Sequence, residues 1–227
     1  MKKGVMRAGH VQIRVLDMDE AVSHYKQRMG LLETHREGDR VFFKGWTECE
    51  KYSVILREAD SAGMDFMGFK VDSDARLDEL HADLIEHGLE VDELPAGDLP
   101  DCGRRMSFLA PTGHRFELYA EKEVTGRHGV GHHNPEAWPE DLVGMKATRF
   151  DHCLFHGEDL DGVYDIFVNV LGFWLTEQAM AGEERVAQFF TCSMKEHEIA
   201  FIKAEGNTGA FHHASFHLET WQDVLHA

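Results

Sequence analysis

The chain of 227 residues lacks the marks of several common protein classes. Its four cysteines are scattered and form no Cys-x-x-Cys pair, which argues against a zinc ribbon or a disulfide scaffold. No apolar run reaches the roughly 18 residues of a membrane span, and the first ten residues contain no signal-peptide core. We therefore expect a cytoplasmic protein with reduced thiols and no membrane segment.

Basic residues are also scarce. There are 23 Lys and Arg against 41 Asp and Glu, which gives a formal net charge of −18. Nucleic-acid binding needs a basic surface to displace phosphate counterions, so neither a nucleic acid nor an anionic membrane is an expected partner. With 43% hydrophobic residues the chain can bury a core, and its length suits two domains.

What the chain does contain is an order of strands and helices that restarts. Alternating apolar residues predict a strand over 9–16, a helical pattern follows over 17–29, and strand-like runs occupy 40–46 and 52–57. The same order begins again with a strand at 65–71 and a helix at 75–87, whose inward residues we expect to be Leu77, Leu80, Leu84 and Ile85. Strands at 105–109 and 115–119 complete this second repeat.

A third repeat begins at residue 151 and matches the first. Aligning His10 with His152 brings Gly30 and Gly172 into step, each 20 residues further on. The predicted fold class is therefore α+β, built from repeated βαβββ units. Residues 122–146 contain an aperiodic Gly- and Pro-rich stretch and predict a linker between a 1–121 domain and a 147–227 domain.

The fourth repeat begins near residue 211 and stops within its helix. Such a half-built repeat would leave backbone hydrogen bonds and an apolar face unsatisfied. We expect that the sequence is incomplete relative to its fold, or that a second chain completes the repeat.

Histidine is abundant, at 16 residues, and two histidines occupy matching strands. If paired repeats curve into a cup, alternation allows His152 and His213 to project into it, while Cys153 points to the opposite face. Imidazole is a common ligand of divalent transition metals, although a strand histidine is more often solvated or hydrogen-bonded. His212 falls on the apolar-facing side of its strand, which favours a structural role.

The sequence resembles the catechol 2,3-dioxygenases, an extradiol ring-cleaving family of the vicinal oxygen chelate superfamily with a glyoxalase-like fold. The C-terminal motifs that carry the resemblance are RFDH at 149–152, VLGF at 170–173 and HHASFHLETW at 212–221. The N-terminal stretches that carry it are 7–18, 57–60, 63–71, 94–97, 102–105, 113–120 and 134–139. The match extends over nearly the whole chain.

The resemblance implies an Fe(II) enzyme that uses O2 to cleave catechol or alkylcatechols to 2-hydroxymuconic semialdehyde, in aromatic hydrocarbon degradation. It implies that His152 and His213 are iron ligands and that His197 assists proton transfers. Phe189 or Phe190 matches a pocket-lining position, and we expect Phe189. The family also implies a homotetramer.

The third ligand of this family is a glutamate. In the second repeat Glu117 lies 51 residues after Phe66 (117 − 66), the position that aligns with His213. The matching carboxylate would lie as far past His213, beyond Ala227. The N-terminal half has His10 and Glu117 but Phe66 in place of a histidine, so the resemblance implies a non-catalytic duplicate.

Two alternatives remain open. Relatives in the same superfamily sequester small molecules without reacting them, so the chain could be a metal- or ligand-binding module. A polypeptide ending at Ala227 could also be an inactive part of a dioxygenase, because two histidines hold iron loosely. Metal stoichiometry and colour formation with catechol separate these possibilities.

Overall fold

The structure is a computed structural model that describes residues 4–124, 140–206 and 208–227. Within them the chain forms thirteen strands and four α-helices. Three complete βαβββ repeats and the start of a fourth follow one another, as the sequence predicts. The expected α+β class is confirmed.

The first two repeats form one mixed sheet of eight strands. Its elements are β1 (Val5–Val15), α1 (Met18–Ser23), β2 (Leu32–Glu37), β3 (Arg40–Lys44), β4 (Val54–Glu58), β5 (Gly63–Val71), α2 (Asp74–Glu86), β6 (Val91–Leu94), β7 (Arg105–Leu109) and β8 (Arg115–Tyr119). The strand order is β2-β3-β4-β1-β5-β8-β7-β6. Each repeat therefore contributes one contiguous half of this sheet.

The third and fourth repeats form a second sheet of five strands. Its elements are β9 (Arg149–Gly157), α3 (Leu160–Tyr164), β10 (Trp174–Ala181), β11 (Glu184–Thr191), β12 (Ile199–Lys203), β13 (Ala210–His217) and α4 (Trp221–His226). The order is β10-β11-β12-β9-β13. In each complete repeat the first and last strands run parallel: β1 with β4, β5 with β8 and β9 with β12.

The first and third repeats match in detail. Each helix continues into a π-helical turn, over His24–Arg28 in one and Asp165–Val170 in the other. Each turn is followed by a glycine in the left-handed region, Gly30 at φ 74° and Gly172 at φ 76°. A side chain there would be strained, so the shared 20-residue spacing reflects a shared helix ending.

The strands that the sequence pattern missed lie at sheet edges. β2 and β6 are the two outermost strands of the first sheet, and β10, of which only the start was expected, is outermost in the second. Edge strands carry polar residues and lack apolar alternation.

The expected burial of Ile85 is wrong, because its side chain is 52% exposed. The buried stripe of α2 comprises Leu77, Leu80 and Leu84, and the residue after Leu84 is rotated by about 100° from it around the helix axis.

Contacts divide the described residues into two compact units. Unit one comprises residues 4–9, 66–121 and 152–214; unit two comprises 10–65, 122–124, 140–151 and 215–227. Unit one is centred on buried phenylalanines, among them Phe69, Phe116, Phe155, Phe167 and Phe201. The division into domains at 1–121 and 147–227 stays a prediction.

Only the ends of the predicted linker are described. Lys122 is buried, and Val124 forms an isolated bridge with Glu50. The His132–His133 pair lies outside the described residues. No helix of the described chain is long and apolar enough to cross a membrane.

Candidate metal centre

Two of the predicted site histidines meet within unit one. His152 on β9 and His213 on β13 bring their Nε2 atoms to 3.4 Å from each other. Two imidazole nitrogens bound to one divalent ion at about 2.1 Å each, at an angle of about 90–110°, lie about 3.0–3.4 Å apart. The pair therefore fits two neighbouring ligand positions on one metal ion.

The other ring nitrogen of His213 is already engaged. Its Nδ1 lies 2.7 Å from Nδ1 of His212, which leaves Nε2 directed towards His152. Burial of the side chain is the largest cause that lowers the pKa of His213. The neighbouring His152, His212 and His197 lower it further. A lowered pKa favours the neutral imidazole, the form that binds metal. The expectation that His212 faces an apolar side is wrong: the residue is exposed and bonds to its neighbour.

His197 and Phe189 border the same place. The ring of His197 lies 4.3 Å from that of His152 and 5.1 Å from that of Phe189, between centroids. Phe190 instead stacks on Phe167 in the core, 5.8 Å between centroids. Of the two phenylalanines left open by the sequence, Phe189 is the one beside the histidines.

Strand alternation explains why these side chains converge. His152 is half-buried on β9, whereas the next residue, Cys153, is fully buried on the opposite face. Burial raises the pKa of the Cys153 thiol well above its usual value, so no thiolate forms there. All four cysteines are free.

A third ligand is not found in the part of the chain that the structure describes: no group of three His, Cys, Asp or Glu side chains there could hold a metal ion. The glutamate expected beyond Ala227 stays a prediction. The described residues supply a two-histidine half-site with a third histidine beside it.

The first repeat contains a counterpart of this site with different chemistry. By strand register Tyr52 occupies the place of His197, because Val11 pairs with Val54 as Cys153 pairs with Ile199. The ammonium of Lys122 lies 2.9 Å from Nδ1 of His10 and 4.6 Å from the Tyr52 ring centroid, with Glu50 at 3.4 Å. The positively charged ammonium group of Lys122 therefore lies next to the His10 ring.

The two remaining candidate ligand positions of the N-terminal half are Glu117 and Phe66. Glu117 accepts a 2.7 Å hydrogen bond from Arg105, and both side chains are almost fully buried. Burial raises the pKa of Glu117, and the attraction of Arg105 opposes this rise. Phe66 is buried and contributes no ligand atom. The expectation of a non-catalytic duplicate stays a prediction.

One residue near the site was not predicted. Glu198 is fully buried, and its carboxylate bonds to the loop that precedes His197. The sequence pattern marks it only as the start of a strand. An acidic residue directly before the apolar run 199–202 was the available signal, but its burial depends on the loop geometry.

Two protein-family models match the chain. Residues 64–123 match the catechol 2,3-dioxygenase-like N-terminal domain, and residues 149–227 match the glyoxalase/bleomycin resistance protein/dioxygenase superfamily. The glyoxalase-like fold of paired βαβββ repeats belongs to this superfamily, which defines the class of protein.

Comparison with individual relatives identifies a family within this superfamily. The chain is 54% identical to the metapyrocatechase of Pseudomonas sp. (strain CF600) over its full length, which is 74% of that protein. It also superposes on the 2,3-dioxygenase LapB from Pseudomonas sp. KL28 with a TM-score of 0.92 and 42% identity, over 99% of this chain and 79% of LapB. The chain belongs to the metapyrocatechase family of extradiol dioxygenases, the catechol 2,3-dioxygenases.

More distant relatives share the fold. A variant of homoprotocatechuate 2,3-dioxygenase from B. fuscum superposes with a TM-score of 0.85 at 19% identity, over 98% of this chain and 59% of that one. The manganese-dependent 2,3-dihydroxybiphenyl 1,2-dioxygenase of Geobacillus genomosp. 3 is 21% identical over 100% of this chain and 73% of its own. Membership of this family implies a catalytic metal but leaves the choice of metal open.

Proposed function

We propose that this protein cleaves catechol or alkylcatechols next to the two hydroxyls, with O2, to give 2-hydroxymuconic semialdehyde. The observation that carries the proposal is the 3.4 Å approach of His152 and His213 with His197 beside them. Family membership supplies the reaction type, and the site supplies residues suited to it.

His152 and His213 would hold the metal through their Nε2 atoms. Fe(II) bound there would supply Lewis-acid and redox chemistry to catechol and O2. The hydrogen bond between His212 and His213 keeps the metal-binding ring in one orientation, a role that outer partners of metal-bound histidines commonly have.

His197 is the residue that would move protons. Ring cleavage requires catechol to lose protons and the product to regain one, and imidazole exchanges protons near neutral pH. Its ring centroid lies 4.3 Å from that of His152 and 5.1 Å from that of Phe189, so it would border both the bound metal and an aromatic wall. Phe189 would exclude water and contact the flat substrate ring.

Three finer statements belong to the same proposal. Fe(II) is the metal we favour, with Mn(II) as the alternative because one relative is manganese-dependent. The third ligand would be a glutamate in sequence following Ala227. The protein would be a cytoplasmic homotetramer.

The binding-module alternative gains no support from these comparisons, since the relatives with high identity are dioxygenases. Reconstitution of the full polypeptide with Fe(II) or Mn(II), followed by catechol and O2, tests the proposal. We expect a yellow ring-cleavage product, identified by mass as the semialdehyde, with Fe(II) giving the higher turnover. Cleavage between the two hydroxyls, or tight catechol binding without O2 uptake, would refute it.

A further inference from the structure

Glu198 adjoins one candidate site residue and forms backbone hydrogen bonds next to two others. It is fully buried immediately before β12 and directly follows His197. Its backbone N–H donates to the carbonyl of Phe190 at 2.9 Å, and its own carbonyl accepts from the Cys153 N–H at 3.3 Å. Phe190 adjoins Phe189, and Cys153 adjoins His152. The backbone of Glu198 therefore ties β12 to the two strands that carry the other site residues.

The carboxylate of Glu198 shapes the loop on the other side of His197. One oxygen accepts from the Cys192 N–H at 2.8 Å, and the other accepts from the Ser193 hydroxyl. The ammonium of Lys195 lies 3.9 Å from the second oxygen. The Ser193 hydroxyl in turn accepts from the Lys195 N–H at 3.3 Å. This chain of bonds bends residues 192–195 around one buried charge.

A buried carboxylate is costly to keep unless hydrogen bonds compensate for the lost water. Here two loop donors and a nearby cation provide that compensation. Replacing the carboxylate by an amide would leave one acceptor oxygen for the Cys192 and Ser193 donors, so at least one of the two bonds would be lost and the loop could shift. His197 lies between the 192–195 bend and Glu198, so its ring direction depends on this arrangement.

We infer that Glu198 is a positioning residue that acts through His197, by holding the 192–197 loop so that the imidazole faces the metal centre. This rests on the proposed function of His197 in proton transfer. The carboxylate bonds to the loop, and its role would be to position the imidazole. Its effect would be on the orientation of the imidazole, on which proton transfer depends steeply.

The test compares Glu198→Gln with Glu196→Gln in the full, metal-loaded polypeptide. Glu196 is exposed and flanks His197 on the other side, so its substitution removes the same charge without touching the loop bonds. We expect Glu198→Gln to lower kcat by on the order of tenfold or more with metal content and KM unchanged, and Glu196→Gln to leave kcat unchanged.

A double-variant cycle distinguishes positioning from general stability. If Glu198 acts through His197, then Glu198→Gln costs no further activity in a His197→Gln background. Equal losses in both backgrounds would overturn the inference. Ser193→Ala serves as a second variant: it removes one loop donor at a half-buried position and should reproduce a smaller loss of kcat with the same dependence on His197.

The side-chain NMR signals of ¹⁵N-labelled histidine give a readout that needs no turnover. In the metal-free protein Glu198→Gln should shift or broaden the His197 ring signals, whereas Glu196→Gln should not. Unchanged His197 signals in Glu198→Gln would overturn the positioning role. A wild-type protein without ring cleavage would instead refute the proposed function, and the NMR comparison would still decide the role of Glu198.

Discussion

His10 and His152 occupy the same position in two repeats but differ in their neighbours. The side chain of His152 faces the imidazole rings of His213 and His197. His10 contacts the ammonium of Lys122, a residue 112 positions away in the chain. The ammonium of Lys122 therefore places a positive charge beside His10. The twin histidines could be predicted from the repeat; Lys122 could not, because no local pattern records so distant a partner.

The Lys122 cluster gives a prediction about stability. Replacing Lys122 by Met removes a cation from beside the buried Glu50 and a hydrogen bond to the carbonyl of Tyr52. We expect the free energy of unfolding to fall by about 3 kcal/mol, as is typical when one member of a buried ion pair is removed. Urea denaturation measures this; a loss below about 0.5 kcal/mol would contradict the cation's structural role. Metal content should stay unchanged.

Gln188 gives a second prediction at this scale. Its side chain is fully buried on β11, and neither amide atom has a hydrogen-bond partner among the described residues. Gln188→Met keeps the size of the side chain and removes the polar atoms, so the protein should gain about 1–2 kcal/mol in stability. Thermal denaturation at fixed metal loading measures the gain.

The control is Gln178→Met, at the exposed position paired with Gln188 across β10 and β11. Its effect should stay within about 0.5 kcal/mol. A destabilised Gln188→Met protein would mean that the buried amide has an ordered partner, such as a water molecule.

At the scale of elements, Asp65 on β5 links three strands. Arg57 of β4 donates to both of its oxygens, at 2.7 and 2.9 Å, and Gln12 and Arg14 of β1 donate as well. Burial alone would raise the pKa of Asp65, but the hydrogen bonds from Arg57, Gln12 and Arg14 outweigh it and lower the pKa to about 2.

This lowered pKa predicts a pH dependence of stability. An unfolded Asp titrates near 3.9, so the unfolded chain takes up the proton first as the pH falls. The contribution of the charged Asp65 is complete above about pH 5, amounts to about 2 kcal/mol, and is lost as the pH falls towards 2. Asp65→Asn should therefore be less stable than wild type at pH 7, and the difference should shrink below pH 4. The exposed Asp60→Asn is the control; a difference that is independent of pH would contradict the account.

The sequence predicted elements well where apolar periodicity was strong. Interior strands such as β5 and β9 and the stripe of α2 follow from alternation and helical spacing. The outermost strands β2, β6 and β10 could not be predicted from alternation, because only one edge of each is paired and their residues are largely polar. His152 and His213 were predicted because strand alternation and the repeat place them on matching strands, β9 in the interior of the sheet and β13 at its edge. The loop geometry around Glu198 depends on contacts that no period encodes.

At the scale of the whole molecule, one βαβββ repeat is used in two ways. Two repeats complete an eight-stranded sheet whose candidate ligands are occupied by Lys122 and Arg105. The third and the start of the fourth bring together His152 and His213. Matching positions of the repeats therefore have different contacts in the two sheets. The chain spans about three quarters of the length of its metapyrocatechase relative.

The central claim is that His152 and His213 hold the catalytic metal. The most direct measurement is the iron content per chain, together with the rate of semialdehyde formation, for wild type, His152→Ala, His213→Ala and His24→Ala after anaerobic loading with Fe(II). His24 is exposed on the first π-helical turn and serves as the control. We predict about one iron per chain in wild type and His24→Ala, and more than a hundredfold loss of activity with loss of iron in the other two. Retention of iron and ring cleavage by either His152→Ala or His213→Ala would contradict the account.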